Sequence, residues 1–255
     1  MSLLDSSGLS ADGRYVVFRS TASNLVSGDT NNANDVFVHD RQTHQTTRIS
    51  VASDGAQSNG FSGEGDISGD GRYVAFESGA NNLVASDTNN TFDVFVHDRQ
   101  TGQTSRVSIA SDGSQANQSS YYTNLSSDGR YVVYSSFATN LVTSDTNNQS
   151  DIFIHDRQTG QTTRVSVASN GSQANGGSDT SVVSSDDVTL HSTATDLVTG
   201  DSNGQSDVFV HDRQTGQTSR VSIASDGSQA NGGSAQAQSP QMADISPSVR
   251  VRQIW

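Results

Sequence analysis

Four short loops carry the residue types best suited to holding a cation. "DTNNAND" (29–35), "DTNNTFD" (87–93), "DTNNQSD" (145–151) and "DSNGQSD" (201–207) each place Asp, Asn and Asp at i, i+2 and i+6. The residues in question are Asp29, Asn31 and Asp35, then Asp87, Asn89 and Asp93, then Asp145, Asn147 and Asp151, then Asp201, Asn203 and Asp207. Calcium takes carboxylate and amide oxygens of this kind, and it is the one cofactor the sequence raises. An EF-hand loop adds a ligand at i+4 and a bidentate acid at i+11, and these loops have neither. Asp and Asn also cap turns and tolerate left-handed backbone, so calcium ligation and Asx turns both stand as readings.

The "HDR" triplets at His39, His97, His155 and His211 put an imidazole beside a carboxylate. A general base also needs a nucleophile or substrate within reach, and a catalytic site is a single place. Four equivalent copies read instead as hydrogen bonds and Asp-Arg pairs fixing a turn, and no catalytic residue is assigned. Arg48, Arg106, Arg164 and Arg220 repeat in the same way. A specific ligand site belongs among residues that break the repetition: His44, His191, Glu64, Glu77, Tyr121, Tyr122 and Trp255. Superposing the units puts Ser6, Glu64, Tyr122, Thr180 and Met242 at one position and Gly8, Asp66, Asn124, Val182 and Asp244 two residues later. Glu64, Asp66, Tyr122, Asn124 and Asp244 are therefore the candidate ligand-binding set. Relaxed packing around a wet channel is the competing explanation of the same variation.

These residues are positioned by a repeating unit. Asp35, Asp93 and Asp151 follow one another at 58-residue intervals, and Asp207 comes after 56. A period of this size carried by strand-like segments signals a propeller or solenoid. Within one unit, strand a ends in "DISGDG", whose Gly71 closes a tight turn, and strand b is "RYVAFES". Strand c is "DVFVHD", with Val94 and Val96 on one face and Phe95 on the other, and strand d is "QTSRVSIAS". Four antiparallel strands make one blade of an all-β propeller, and identical blades need identical interfaces. The units run over 5–62, 63–120, 121–178 and 179–234, with a partial fifth over 235–255, so 1–255 reads as one propeller domain of five blades whose last is incomplete. Part of a larger ring, or a ring closed by self-association, is the alternative. In the fourth unit "SSDDVTLHSTATD" replaces "SSDGRYVVYSSFATN", which predicts a shorter and less well packed strand b. His44 stands where the other units have Gly102, Gly160 and Gly216.

"GDGRYVAF" followed by "DVFVHD", four times over, resembles the TolB-like propeller repeat, in which a Ser-x-Asp-Gly turn precedes the second strand. The family's usual Pro after that Ser is replaced by Ala11, Gly69 and Ser127, and only "DISPS" at 244–248 keeps it. The resemblance implies the fold and an extracytoplasmic setting. It leaves function open, since such repeats occur in periplasmic scaffolds, peptidase-associated propellers and secreted proteins.

Composition narrows the classes. The net charge is -13, from 25 Asp and 2 Glu against 14 Arg, with no Lys, so no basic stripe marks a nucleic-acid footprint. No Cys is present, which excludes thiol catalysis and disulfides, and no apolar run is long enough to insert in a membrane. "MSLLDSSGLSADG" has neither the basic nor the apolar region of a signal peptide. The leading reading is a non-enzymatic binding or scaffold propeller, monomeric or self-associated, with a protein or glycan ligand. A multivalent lectin using the four Asp/Asn loops is one alternative. A hydrolase or lyase using Glu64, Asp66 and Tyr122 at the channel mouth is the other.

Overall fold

A computed structural model describes residues 8–235. Fifteen strands form four antiparallel sheets, and each sheet follows chain order. Blade 1 holds β1 (Tyr15–Ser20), β2 (Asp35–Asp40) and β3 (Gln45–Arg48), with Leu9 bridging Val16 where strand a belongs. Blade 2 holds β4 (Ser62–Ile67), β5 (Tyr73–Ser78), β6 (Asp93–Asp98) and β7 (Gln103–Arg106). Blade 3 holds β8 (Ser120–Leu125), β9 (Tyr131–Ser136), β10 (Asp151–Asp156) and β11 (Gln161–Arg164). Blade 4 holds β12 (Ser178–Val183), β13 (Asp187–Ser192), β14 (Asp207–Asp212) and β15 (Thr218–Arg220). Apart from Ala235, the partial fifth unit lies outside the described residues.

The alternation of strand c decides how blades stack. Val94 and Val96 join Val107, Leu125, Val132, Tyr134 and Phe153 between blades 2 and 3, whereas Phe95 joins Val17, Val38, Ile49, Ile67 and Phe76 between blades 1 and 2. Val133, Ile152, Ile154, Leu190 and Phe209 fill the third seam. Each fully buried side chain of this size contributes about 1.5–3 kcal/mol, so the seams rather than the short strands hold the array together. The turn ahead of strand b belongs to a seam as well. Gly71 has φ +74, and a Cβ there would lie 2.2 Å from the Tyr15 ring of the preceding blade.

Two expectations need correction. Strand d stops at Arg106, because Ser108 turns inward: its hydroxyl donates to Asp93 Oδ1 at 2.5 Å and receives the amide of Val94 at 3.1 Å. Strand b of blade 4 is not shortened, since β13 keeps six residues and pairs in full register with β14. The missing residues are absorbed by a tighter turn in which the Ser184 amide donates to Asp187 O at 2.9 Å. Its packing is looser as expected: Asp187, Thr189 and His191 are only partly buried.

His44 has φ +60 where its counterparts are glycines at φ +73 to +74. His44→Gly is expected to stabilise the protein by up to about 1 kcal/mol in urea unfolding, since the left-handed conformation carries a cost for a residue with a Cβ.

Candidate functional site

The four Asp/Asn loops do bring their polar residues together, around a guanidinium. In blade 2, Asp93 at the head of β6 is fully buried. Its Oδ2 accepts from Asn89 Nδ2 at 3.1 Å and Gln115 Nε2 at 2.8 Å, and Gln115 Nε2 also donates to Asp87 Oδ1 at 2.8 Å. Arg106 Nη1 lies 3.5 Å from Asp87 Oδ1 and 3.7 Å from Asp93 Oδ2. Arg48 faces Asp29 and Asp35, Arg164 faces Asp145 and Asp151, and Arg220 faces Asp201 and Asp207 in the same way. Asn31, Asn147 and Asn203 likewise donate to the buried aspartate of their own loop. Burial pushes the carboxyl of Asp93 up, against the pull of Ser108, Gln115 and Arg106, and Asp151 is raised for the same cause. A cation needs lone pairs, and here the carboxylates face N–H donors and an Arg charge. No cluster of three His, Asp or Glu with metal-holding geometry occurs among the described residues.

The "HDR" triplets are seam fasteners. His97 Nδ1 lies 2.9 Å from Thr104 Oγ1, and Thr104 Oγ1 donates to Val51 O of the preceding blade at 2.5 Å. The single hydroxyl proton is thereby spent, so Nδ1 carries the proton it donates to Thr104. Burial lowers the affinity of His97, His155 and His211 for a second proton. Asp98 takes Arg72 in a two-pronged pair at 3.0 and 2.8 Å, which holds its carboxyl far below the usual range. Arg99 caps Gly71 O and stacks on Tyr15 with 4.2 Å from its guanidinium carbon to the ring centre.

The candidate ligand set is split by the structure. Strand a carries a bulge in each complete blade, between Ser62 and Gly65, Tyr121 and Asn124, and Asp179 and Ser181. Glu64 and Tyr122 sit on the bulges, and Tyr122 is held at φ +52 with 42% of its surface exposed. Asp66 and Asn124 tie inner strands together: Asp66 Oδ2 accepts from Leu125 N at 2.9 Å, and Asn124 Nδ2 donates to Ser181 O at 2.7 Å. Burial raises Asp66 to about 6, opposed by its bonds from the Leu125 and Ile67 amides. Asp244 lies outside the described residues.

Sequence reasoning overlooked Phe61 and Phe92, which gather with Tyr121 around Tyr122. Phe61, Phe92, Tyr121 and Tyr122 form a continuous chain of rings, with centroid separations of 5.8, 5.3 and 6.3 Å. Phe61 is 36% exposed. Beneath them Glu77 Oε2 accepts the Tyr122 amide at 3.0 Å. Gly63 makes room, since a Cβ there would lie 2.7 Å from both Glu77 Oε1 and the Phe61 ring. Other blades place Asn34, Ser150 and Ser206 at the position of Phe92, and Ser119 and Gly177 at that of Phe61. Departure from the repeat was the signal available. The cluster offers ring faces above a buried carboxylate that already accepts the Tyr122 amide.

No family model matches the chain, and no curated protein does. Among solved structures, TolB from Acinetobacter baumannii is 17% identical, with 87% of this chain and 44% of that one covered and a TM-score of 0.51. The tricorn protease is 12% identical over 85% of this chain and 22% of that one, also at 0.51. A puromycin-hydrolyzing peptidase from Mycobacterium tuberculosis is 11% identical over 86% and 28%, at 0.51. The chain thus has a TolB-like propeller fold and spans less than half the length of these proteins.

Unfolding midpoints in excess chelator and in millimolar calcium are expected to coincide. A calcium-dependent rise lost in Asp87→Ala would make the loops metal sites. Arg106→Leu, which strands two buried carboxylates, is expected to cost about 3–5 kcal/mol in denaturant unfolding. Asp66 supplies a pH signature. Its native pKa is raised, so its contribution to stability is fully present below the unfolded value and is lost as pH rises through about 6. Comparing wild type with Asp66→Asn across pH 4 to 7 should show a steeper decline in the wild type, since Asp93 and Asp151 lose stability in the same direction in both.

Proposed function

We propose that this chain is a non-catalytic binding or scaffold propeller of an extracytoplasmic compartment, and that it takes a protein segment on the aromatic surface at the junction of blades 2 and 3. The observation that carries the reading is the four-ring chain from Phe61 to Tyr122, partly exposed and found at one place in an otherwise repetitive molecule. Tyr122 in a left-handed conformation supports it, because such strain, of order 1–3 kcal/mol, is kept where surroundings enforce it and clusters at binding sites. Aromatic rings give large contact area at low entropic cost. With a chain charge of -13 and ring faces exposed at this junction, the complementary segment is basic and apolar. Nucleic acid is disfavoured by the same charge.

Against a four-site lectin stands the internal use of the loop amides and carboxylates, which leaves few groups to meet a sugar. Against a channel-mouth hydrolase or lyase stands Asp66, both of whose oxygens accept backbone amides. The extracytoplasmic placement rests on the absence of Cys and Lys and on the TolB-like fold.

Fluorescence polarisation against a library of basic, aromatic-containing peptides tests the proposal. Binding is expected to weaken by about 2 kcal/mol or more, roughly thirtyfold, in Tyr122→Ala and Phe92→Ala, with unfolding midpoints little changed. Glycan binding at several equivalent sites per chain that survives both substitutions would return the loops to first place.

A further inference from the structure

Each seam joins two half-faces, and one of each kind is left over at the ends of the described array. At all three internal seams a Thr of the following blade meets a Ser and a carbonyl of the preceding link. The Thr104, Thr162 and Thr218 amides donate to Ser53, Ser111 and Ser169 Oγ at 2.9 Å, and their hydroxyls donate to Val51, Ile109 and Val167 O at 2.5, 2.6 and 2.5 Å. An Arg of the following blade also stacks on a Tyr of the preceding one. Arg99 over Tyr15, Arg157 over Tyr73 and Arg213 over Tyr131 stand at 4.2, 4.0 and 3.8 Å.

Blade 4 presents the preceding half of this interface. Val208 and Val210 are partly exposed, Val221 is 48% and Ile223 50% exposed, and Ser225 stands in the register of Ser169. Blade 1 presents the following half. Leu9 is 41% exposed, Val16, Phe18 and Leu25 are partly exposed, and Thr46 and Arg41 stand in the register of Thr104 and Arg99. The charges complement each other as well. In blade 4 the stacking Tyr is replaced by Asp187 and the pairing Arg by Asp186, next to Asp212. Burial and those two neighbours raise the Asp187 carboxyl, the mark of a site short of positive charge. An arriving guanidinium would meet a carboxylate where the other seams offer a ring.

We propose that the free face of blade 4 docks the free face of blade 1 of a second copy of this chain, head to tail, with Arg41 of one copy set against Asp187 of the other. Two copies joined in this way would use the exposed end faces of both described arrays, and the head-to-tail contact closes into a pair where its rotation is half a turn. The seam is one the molecule already builds three times. The inference goes beyond the ligand surface and does not depend on it.

Sedimentation velocity on the full chain from about 1 to 100 µM, a range suited to micromolar association, tests it. The expected result is a species with the mass of two chains, weakened tenfold or more by Arg41→Asp or by Asp187→Arg. The doubly substituted chain, whose charges are exchanged, should recover it. Circular dichroism and the unfolding midpoint check that each variant folds. The mass of one chain throughout, or a dimer indifferent to both exchanges, would overturn the proposal. So would a single-chain mass whose midpoint falls with each exchange and recovers with both, because the faces would then be satisfied within one chain.

Discussion

A carboxylate with no access to solvent must be met by donors and opposite charge, and the blades are organised around one such group apiece. Asp35, Asp93, Asp151 and Asp207 each head strand c with no exposed surface. In blade 2 the partners of Asp93 come from the b–c loop (Asn89), strand d (Arg106), the residue that ends it (Ser108) and the link to the next blade (Gln115). One buried charge thereby ties three further segments to strand c, and the loss of Arg106 leaves it without an opposite charge. This is why Asp, Asn, Arg, Ser and Gln recur as a set.

The seams impose a second condition, that every internal blade carry both halves of one interface. Between clasp and seam, the outer loops, strand c and both faces are committed. Freedom remains at the bulge of strand a and the fifth position of strand b, where Arg19, Glu77, Ser135 and His191 succeed one another. In blade 4 that freedom gives His191 paired with Asp179 at 2.9 Å, a contact that raises the histidine's proton affinity. In blades 2 and 3 it gives the aromatic chain. The unrepeated chemistry thus collects on the inner strands and the loops that adjoin them, the one region where variation does not disturb stacking.

Much of the architecture was legible in the residues. The period, the Asp-Gly turns, the two-faced strand c and the structural reading of His97 all follow from repetition and alternation. The bulges did not, because an alternating pattern gives no sign of an extra residue on a strand whose variable side chains are themselves irregular. Asp66 and Asn124 were singled out for departing from the repeat, yet each reaches a backbone group of the next blade, which no side-chain pattern reveals. Phe61 and Phe92 were missed because each is a lone aromatic in a polar stretch, and only the antiparallel pairing of β4 with β5 and the approach of β8 bring them to Tyr121.

What the sequence by itself determined was the blade: strand number, turn chemistry and a matching pair of faces, since these are local or recur at a set interval. Tertiary structure decided which side chains surround the Asp/Asn loops and which rings come together beside Tyr122. The spacing of Asp and Asn in the loop does not reveal that Arg106, beyond the loop, reaches back across the sheet to within 3.5 Å of Asp87 and 3.7 Å of Asp93. A surface assembled from four rings on three segments exists only after the blades have stacked.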